Sequence, residues 1–377
     1  MRLRWDVVII GAGAAGCATA IALLQQLPNL SVLLLERRNG MSQPFRIGET
    51  LPPQTMLLLQ QLKLSENFLA RGDLPALGTR SIWGNTRINE YPFWYSCYGH
   101  GWHIDRTSFD DWIVQQAEDA GATVFFGATA AGTPEYRHGW HLTVEGVTAS
   151  PVTLETSLVV DASGRGGRFC RRLGMRTDKF DKLTSIFRFY PAETNDTECS
   201  DESFTLVESG ETGWWYSARL PQGQWIAALM TDSDLARNQG MLSEIEWLNA
   251  LARTRLTRTR FEKKVPLTPL QAMPAHSQRL QQFCGPGWYA VGDAASVFDP
   301  LSSLGIFKAL RHGLLVSYAI RDELQNRPDT IQKYQYLLES EFKQYRQMHR
   351  QYYQLEKRFM QAPFWQRRQE DSSTEAV

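Results

Sequence analysis

The residues best placed by type and spacing to do chemistry lie near the start of the chain. Gly11, Gly13 and Gly16 form a G-x-G-x-x-G turn between the β-branched run Asp6–Ile10 and a small, apolar stretch, Ala14–Leu27. A strand, a glycine turn and a helix in that order can bind a diphosphate. The first glycine permits the tight turn, the second lets the backbone approach the phosphates, and the third lets helix and strand pack closely. The first amides of the helix, those of Ala14 and Ala15 included, offer unpaired N–H groups and a partial positive charge. Glu36, with Arg37 beside it, closes the next apolar run, Ser31–Glu36, twenty residues beyond Gly16. A carboxylate there accepts the hydroxyls of an adenosine ribose and repels a 2′-phosphate, which argues against NADP.

Two later segments repeat the pattern of a buried strand entering a glycine turn. Leu158–Asp161 runs into Gly164, and Tyr289–Val291 runs into Gly292-Asp293. Pro300-Leu-Ser-Ser-Leu-Gly305-Ile306 follows. With Arg46-Ile-Gly48-Glu49-Thr50 and Asp105-Arg106, these segments resemble, in the family's order, the FAD-dependent monooxygenases of the p-hydroxybenzoate hydroxylase type. They look more specifically like the tryptophan-halogenase-like branch, and the likeness extends to about residue 325.

The resemblance implies an FAD site built by Gly11, Gly13, Ala14, Ala15, Gly16, Glu36, Arg37, Arg46, Arg106, Asp161, Gly164, Gly292, Asp293, Gly305 and Ile306. Asp293 would meet the ribityl–diphosphate stretch, and Arg106 the ribose or phosphates. Gly305 and Ile306 would present amides to the flavin's pyrimidine edge, where a helix N-terminus favours the negative charge of the reduced ring. O2 would be the co-substrate, with NAD(P)H or an external donor as reductant.

The chain also departs from that branch. Halogenases carry an essential lysine, a WxWxIP motif, and a glutamate and threonine in the proline–glycine loop. Here Arg80 and Trp83 occupy the lysine's region, WxWxIP is absent, and the loop holds serine and leucine. Halogenation is therefore not expected. Asp161 is followed by Ala162 where the aromatic hydroxylases have Asp-Gly, so a dedicated nicotinamide site is not expected either. The serine-rich loop and the compact substrate block look most like the flavoproteins required for tryptophylquinone cofactor biogenesis. That likeness implies hydroxylation of a tryptophan in a precursor polypeptide. The alternatives are hydroxylation of a free small aromatic compound, a precursor-binding chaperone role, or flavin halogenase or reductase activity.

Electron-rich rings that are hydroxylated must be held against the flavin and shielded from water. Trp94, Tyr95, Trp214 and Trp215 could line such a pocket, although alternation lets only one face of a strand do so. His103 could exchange a proton. Lys308, in the first turn after Gly305, could place charge near the flavin, and Pro300 opens the loop before it. Each also has a plain structural reading as sheet core, a hydrogen-bonded histidine or a solvated lysine.

These residues need an α/β scaffold: a Rossmann-like FAD-binding domain (1–80, 99–179 and 281–328), an inserted antiparallel-sheet substrate domain (81–98 and 180–280), and a C-terminal helix with a frayed tail (329–377). Residues 52–72 and 330–361 read as helices, and the aromatic run Tyr91–Tyr95 as strand. The C-terminal helix is aromatic-rich and can either dock a partner or pack back onto its own domain. Lys+Arg and Asp+Glu are both 40, so the charge balance gives no long-range pull toward nucleic acid. The five cysteines show no zinc spacing and no even-numbered framework. A reducing, cytoplasmic setting is expected, with no membrane span, no metal, and an oligomeric state the sequence leaves open.

Overall fold

The computed structural model of the chain describes residues 2–40, 47–192 and 203–370. It is an α/β fold with a C-terminal helical segment. Five strands form a parallel core in the spatial order Trp288–Ala290, Val152–Asp161, Arg4–Ile10, Val32–Glu36, Thr123–Phe126. The apolar runs Val7–Ile10, Val32–Leu35 and Leu158–Val160 are continuous rather than alternating, as strands covered on both faces are. Val7, Val8, Ile9, Leu33, Leu34, Val159 and Val160 are all buried.

The parallel register decides where chemistry can occur. Ile10 pairs with Leu35 and with Asp161, and Asp161 pairs with Ala290. Gly11, Glu36, Gly164 and Gly292 therefore leave the sheet along one carboxyl edge, where α/β folds bind their ligands. Two helices pack closely behind that edge. A Cβ on Gly313, in helix Gly305–Leu324, would stand 2.6 Å from the Ala18 Cβ of helix Ala14–Gln26. Only glycine permits this approach.

The second layer is a seven-stranded sheet ordered Gln271–Pro274, Leu183–Pro191, Gln224–Asp232, Gly213–Leu220, Phe204–Gly210, Gly78–Ile82, Asn89–Pro92. It is antiparallel except where Phe204–Gly210 meets Gly78–Ile82. One face packs Phe187, Phe189, Trp214 and Met230 into a core that also takes in Tyr353, Phe364 and Trp365 from the end of the chain. The other packs Tyr190, Trp215, Trp225, Trp247 and Phe261 beneath two short helices. A small sheet of Thr50–Leu51, Gly101–His103 and Leu74–Ala76 touches the seven-stranded sheet where Thr50 meets Tyr216.

Several local expectations needed correction. Residues 52–72 form two helices, Thr55–Gln61 and Ser65–Leu69, separated at Lys63, whose φ of 55° cannot continue a right-handed helix. Leu57, in the first of them, is exposed. The strand at Tyr91 stops at Pro92, and Phe93–Tyr95 is a single 3₁₀ turn. The long C-terminal helix ends at Leu355, and a further helix, Pro363–Glu370, opens with a proline, which suits a first helical position. No helix among the described residues is long and apolar enough to cross a membrane.

Candidate functional site

The glycine turn has the shape its sequence implies. Gly11 has φ 111°, and a Cβ there would stand 2.4 Å from the Ala162 carbonyl oxygen. A Cβ on Gly16 would fall 2.0 Å from the Gly11 carbonyl oxygen. Gly13 differs: its extended backbone tolerates any residue, and a Cβ would have nothing within 4 Å. Two glycines thus satisfy the fold, while the third faces open space at the start of helix Ala14–Gln26. A diphosphate fits that space and those helix amides.

Glu36 is buried at the adjacent strand end. Its carboxylate accepts from the Ala12 amide at 2.9 Å and from the Arg38 amide and Nε at 2.9 and 3.0 Å. Burial raises its pKa, but those amides and the Arg38 guanidinium outweigh burial and hold it below the usual glutamate range. The group is an anion aimed along the carboxyl edge, as a ribose-binding carboxylate must be. Arg37 next to it is exposed.

Asp293 follows Gly292, whose φ of 58° turns the chain. The Asp293 side chain is 40% exposed and accepts from the Lys308 Nζ at 3.0 Å. Burial works against its charge, but Lys308, Arg165 and Arg106 together keep it below the usual carboxylate range. The Gly292 amide donates to His312 Nδ1 at 3.1 Å, and His312 Nε2 meets Glu341 at 2.5 Å. The turn is therefore held from behind by a histidine–glutamate pair. Gly305 and Ile306 open helix Gly305–Leu324, where first-turn amides have no intrahelical acceptor. Gly305 is exposed and Gly164 is half-buried with φ 72°.

Arg106 lies across the Ile47–Thr50 segment. Its Nη1 donates to the Ile47 carbonyl at 3.0 Å and its Nη2 pairs with Asp110 at 3.2 Å. A Cβ on Gly48 would stand 2.6 Å from Nη1, so the glycine makes room for the guanidinium. Arg46 lies outside the described residues.

Other expected site residues sit elsewhere than foreseen. The Asp161 carboxylate is fully buried and accepts from Ser163, Phe169 and Cys170. It fastens the Gly164 turn and caps the next helix rather than facing a ligand. Lys308, expected beside the flavin, is enclosed: its Nζ donates to Asp293 and to the Ser296 carbonyl and lies 4.6 Å from the Phe298 ring centre. Pro300 begins a turn capped by Asp299. Trp214 and Trp215 point to opposite faces because neighbours on a strand alternate. Trp214 is core, donating to the Tyr353 hydroxyl at 2.8 Å. Trp215 stacks edge-on to Trp247 and borders a cavity of about 290 Å³ on the face away from Tyr216 and Leu301. Trp94 and Tyr95 are 62% and 84% exposed, so they form a surface ledge and not a pocket wall.

His103 is fully buried, and burial lowers its pKa to about 4. It belongs to a cluster that sequence reading missed. Thr50 Oγ1 stands 3.2 Å from His103 Nδ1 and 2.9 Å from the Tyr216 hydroxyl, which in turn lies 3.4 Å from Glu49. The one available signal was the Gly48-Glu49-Thr50 run within the resemblance; nothing in it pointed to a strand about 165 residues away.

Residues 4–335 match the model of the FAD binding domain family. The chain belongs to that family, and it is an FAD-dependent oxidoreductase of the halogenase-like superfamily. It is 29% identical over 366 residues, 97% of this chain and 96% of the other, to LodB of Marinomonas mediterranea, which bears the name of an FAD-dependent oxidoreductase. Its fold overlays that of the myxobacterial chondrochloren halogenase CndH with a TM-score of 0.88 at 20% identity, covering 97% of this chain and 86% of that one. It overlays QhpG, a peptidyl tryptophan dihydroxylase essential for tryptophylquinone cofactor biogenesis, with a TM-score of 0.73 at 22% identity, over 97% and 79%.

Proposed function

We propose that the protein is an FAD-dependent monooxygenase that hydroxylates a tryptophan side chain of a partner polypeptide during maturation of a tryptophylquinone cofactor. FAD would supply the redox chemistry, with O2 as co-substrate and NAD(P)H or an external donor as reductant. The carrying observation is the state of two cations, Arg80 in the region where halogenases keep their lysine and Lys308 in the first turn of the helix that Gly305 opens. Arg80 pairs with Glu90 at 2.8 Å and lies over the Phe204 ring. Lys308 is enclosed by Asp293, Ser296 and Phe298. Both ends are engaged, so neither is poised to hold a hypohalous acid.

The chain's own residues would then do five things. Glu36 holds the ribose, and the Gly13 turn and the helix behind it receive the diphosphate. Asp293, kept anionic by its three cations, orients the stretch between diphosphate and ring. Gly305 and Ile306 offer amides to the ring's polar edge. The aromatic core around Trp214, with Tyr216, Ile47 and Leu301 packed against it, keeps water from that face of the seven-stranded sheet. The exposed ledge of Tyr91, Trp94, Tyr95 and Tyr98 suits contact with a large partner, because rigid aromatic side chains dominate protein interfaces.

The test is mass spectrometry of a candidate precursor polypeptide co-expressed with and without this protein under 18O2. Label at a tryptophan supports the reading. An unchanged mass, a halogen adduct, or label found only in a free aromatic compound overturns it.

A further inference from the structure

Glu49 is 2% exposed, and its Oε1 has no hydrogen-bond partner among the described residues. A buried carboxylate left in that state is costly. Counting protons along its neighbours explains how it is tolerated. His103 Nε2 faces the Ser203 carbonyl at 3.4 Å, and a carbonyl only accepts, so Nε2 carries the hydrogen. His103 Nδ1 must then accept, and Thr50 donates to it across 3.2 Å. Having given its hydrogen to His103, Thr50 can only accept across the 2.9 Å contact with Tyr216. Thr205, 3.3 Å from Thr50, can add a second donor to the same oxygen. Tyr216 has one hydrogen, and it goes to Thr50. The remaining contact, between Tyr216 and Glu49, lacks a hydrogen unless Glu49 supplies it.

We propose that Glu49 is a neutral carboxylic acid that donates to Tyr216, and that Glu49, Tyr216, Thr50 and His103 form one directed hydrogen-bond chain serving the flavin site as a proton store. Its use as a store rests on the monooxygenase reading; its protonation state does not. Loss of the proton would turn the Tyr216 hydroxyl toward the Glu49 carboxylate and break the chain at Thr50. The two states differ by one proton and one hydroxyl rotation.

The charged groups around the cluster are few. Arg106, itself paired with Asp110, faces Glu49 from helix Arg106–Asp119. Arg260, from helix Leu256–Phe261, acts on Tyr216 and His103. Burial is the largest influence on Glu49 and raises its pKa to about 7, against nearby amides, Arg106 and Tyr216, which lower it. Arg106 is thus too weak an influence to keep Glu49 an anion well below neutrality.

The test follows the glutamate carboxyl carbons by 13C NMR in the full-length protein, purified with FAD and titrated from acid to alkaline pH. Glu49→Gln assigns the signal by removing it. A midpoint within about one unit of neutrality is expected. Thr50→Val separates this chain from burial alone. With the Thr50 oxygen gone, the Tyr216 hydrogen is released toward Glu49, stabilises its carboxylate and moves the midpoint down. A Glu49 signal that titrates in the ordinary carboxylate range, or a midpoint that Thr50→Val leaves in place, overturns the proposal. Failure to find oxygen in the polypeptide would leave both readings of the spectrum intact.

Discussion

At the scale of single residues, the three glycines of the first turn make separable predictions. Gly16→Ala drives a Cβ to 2.0 Å from a backbone oxygen that cannot move cheaply, so the strand–helix packing must shift. Little soluble protein is expected. The Cβ of Gly13→Val has no protein atom within 4 Å, and valine accepts the extended backbone there. The variant should fold with a melting temperature close to that of the ligand-free parent, yet purify colourless. Its FAD affinity, measured by fluorescence quenching, should fall at least about tenfold, a loss of roughly 1.4 kcal/mol or more. A yellow Gly13→Val protein would remove the diphosphate from this turn. Glu49 makes a prediction of the same scale with a sign. Its folded pKa of about 7 lies above the ordinary glutamate value. Its contribution to stability is therefore complete below that ordinary value and is lost as pH rises through about 7. Glu49→Gln keeps a donor toward Tyr216 but cannot ionise. Relative to the variant, the parent should lose about 3–4 kcal/mol between acid and mildly alkaline pH, because each pH unit separating the folded and ordinary values is worth about 1.4 kcal/mol. Urea midpoints of both proteins at the two ends of that range check it, and parallel behaviour would contradict it.

At the scale of elements, helix Thr330–Leu355 is the part whose role the sequence left undecided. Its buried residues recur at helical spacing: Tyr334, Leu338, Phe342, Tyr345, Tyr353. That face is turned inward, onto the segments that build the site. The Tyr334 hydroxyl donates to the Ala290 carbonyl, Glu341 holds His312 behind Gly292, and Tyr345 accepts from the Asp299 amide. His349 and Tyr353 both reach the Asp299 carboxylate, at 3.0 and 2.8 Å. Burial opposes the charge on Asp299, but His349, the Leu301 amide and Tyr353 together hold it below the usual range. Tyr353→Phe removes one of these donors and leaves the ring packing in place. A loss of about 1–3 kcal/mol is expected, with weaker FAD binding because the Pro300–Gly305 loop is less firmly set. Denaturant midpoints and FAD titration read the two effects, and unchanged values for both would detach the helix from the loop. Much of the parallel sheet was legible in advance because Asp6–Ile10, Leu158–Asp161 and Trp288–Val291 are short apolar runs that enter glycine turns. The Gly11–Gly16 turn and Glu36 were legible for the same reason. The destinations of side chains were not. Asp161 and Lys308 carry the right charges in the right segments, but a cap and a buried ion pair claim them, and neither contact is visible along the chain. The Glu49 cluster was hidden for a related reason, since Thr50 and His103 pair across a two-residue strand and meet Tyr216 only through the fold.

At the scale of the whole molecule, the end of the chain ties the two large sheets into one unit. Tyr334 and Leu338 belong to the core under the parallel sheet, whereas Tyr353, Phe364 and Trp365 belong to the core under the seven-stranded sheet. The family match ends at residue 335, so most of this clasp lies beyond it. Trp365 is its far anchor. Its Nε1 donates to the Gly210 carbonyl at 2.8 Å, and its ring packs against Trp83, Tyr353, Phe359 and Phe364. Bound FAD stabilises only what it touches, by about 2.7 kcal/mol when the free ligand is a hundredfold above its dissociation constant. If the clasp couples the sheets, that stabilisation reaches the seven-stranded sheet as well. Release of flavin fluorescence and loss of far-ultraviolet circular dichroism should then coincide on heating the parent protein. Trp365→Ala opens a cavity in the second core at a cost of about 3–5 kcal/mol and loosens the far end of the clasp. In that variant the seven-stranded sheet should melt first, at a temperature that excess FAD no longer raises, while flavin release stays near its original midpoint. Two coincident, FAD-responsive transitions in Trp365→Ala would show instead that contacts other than the clasp couple the sheets.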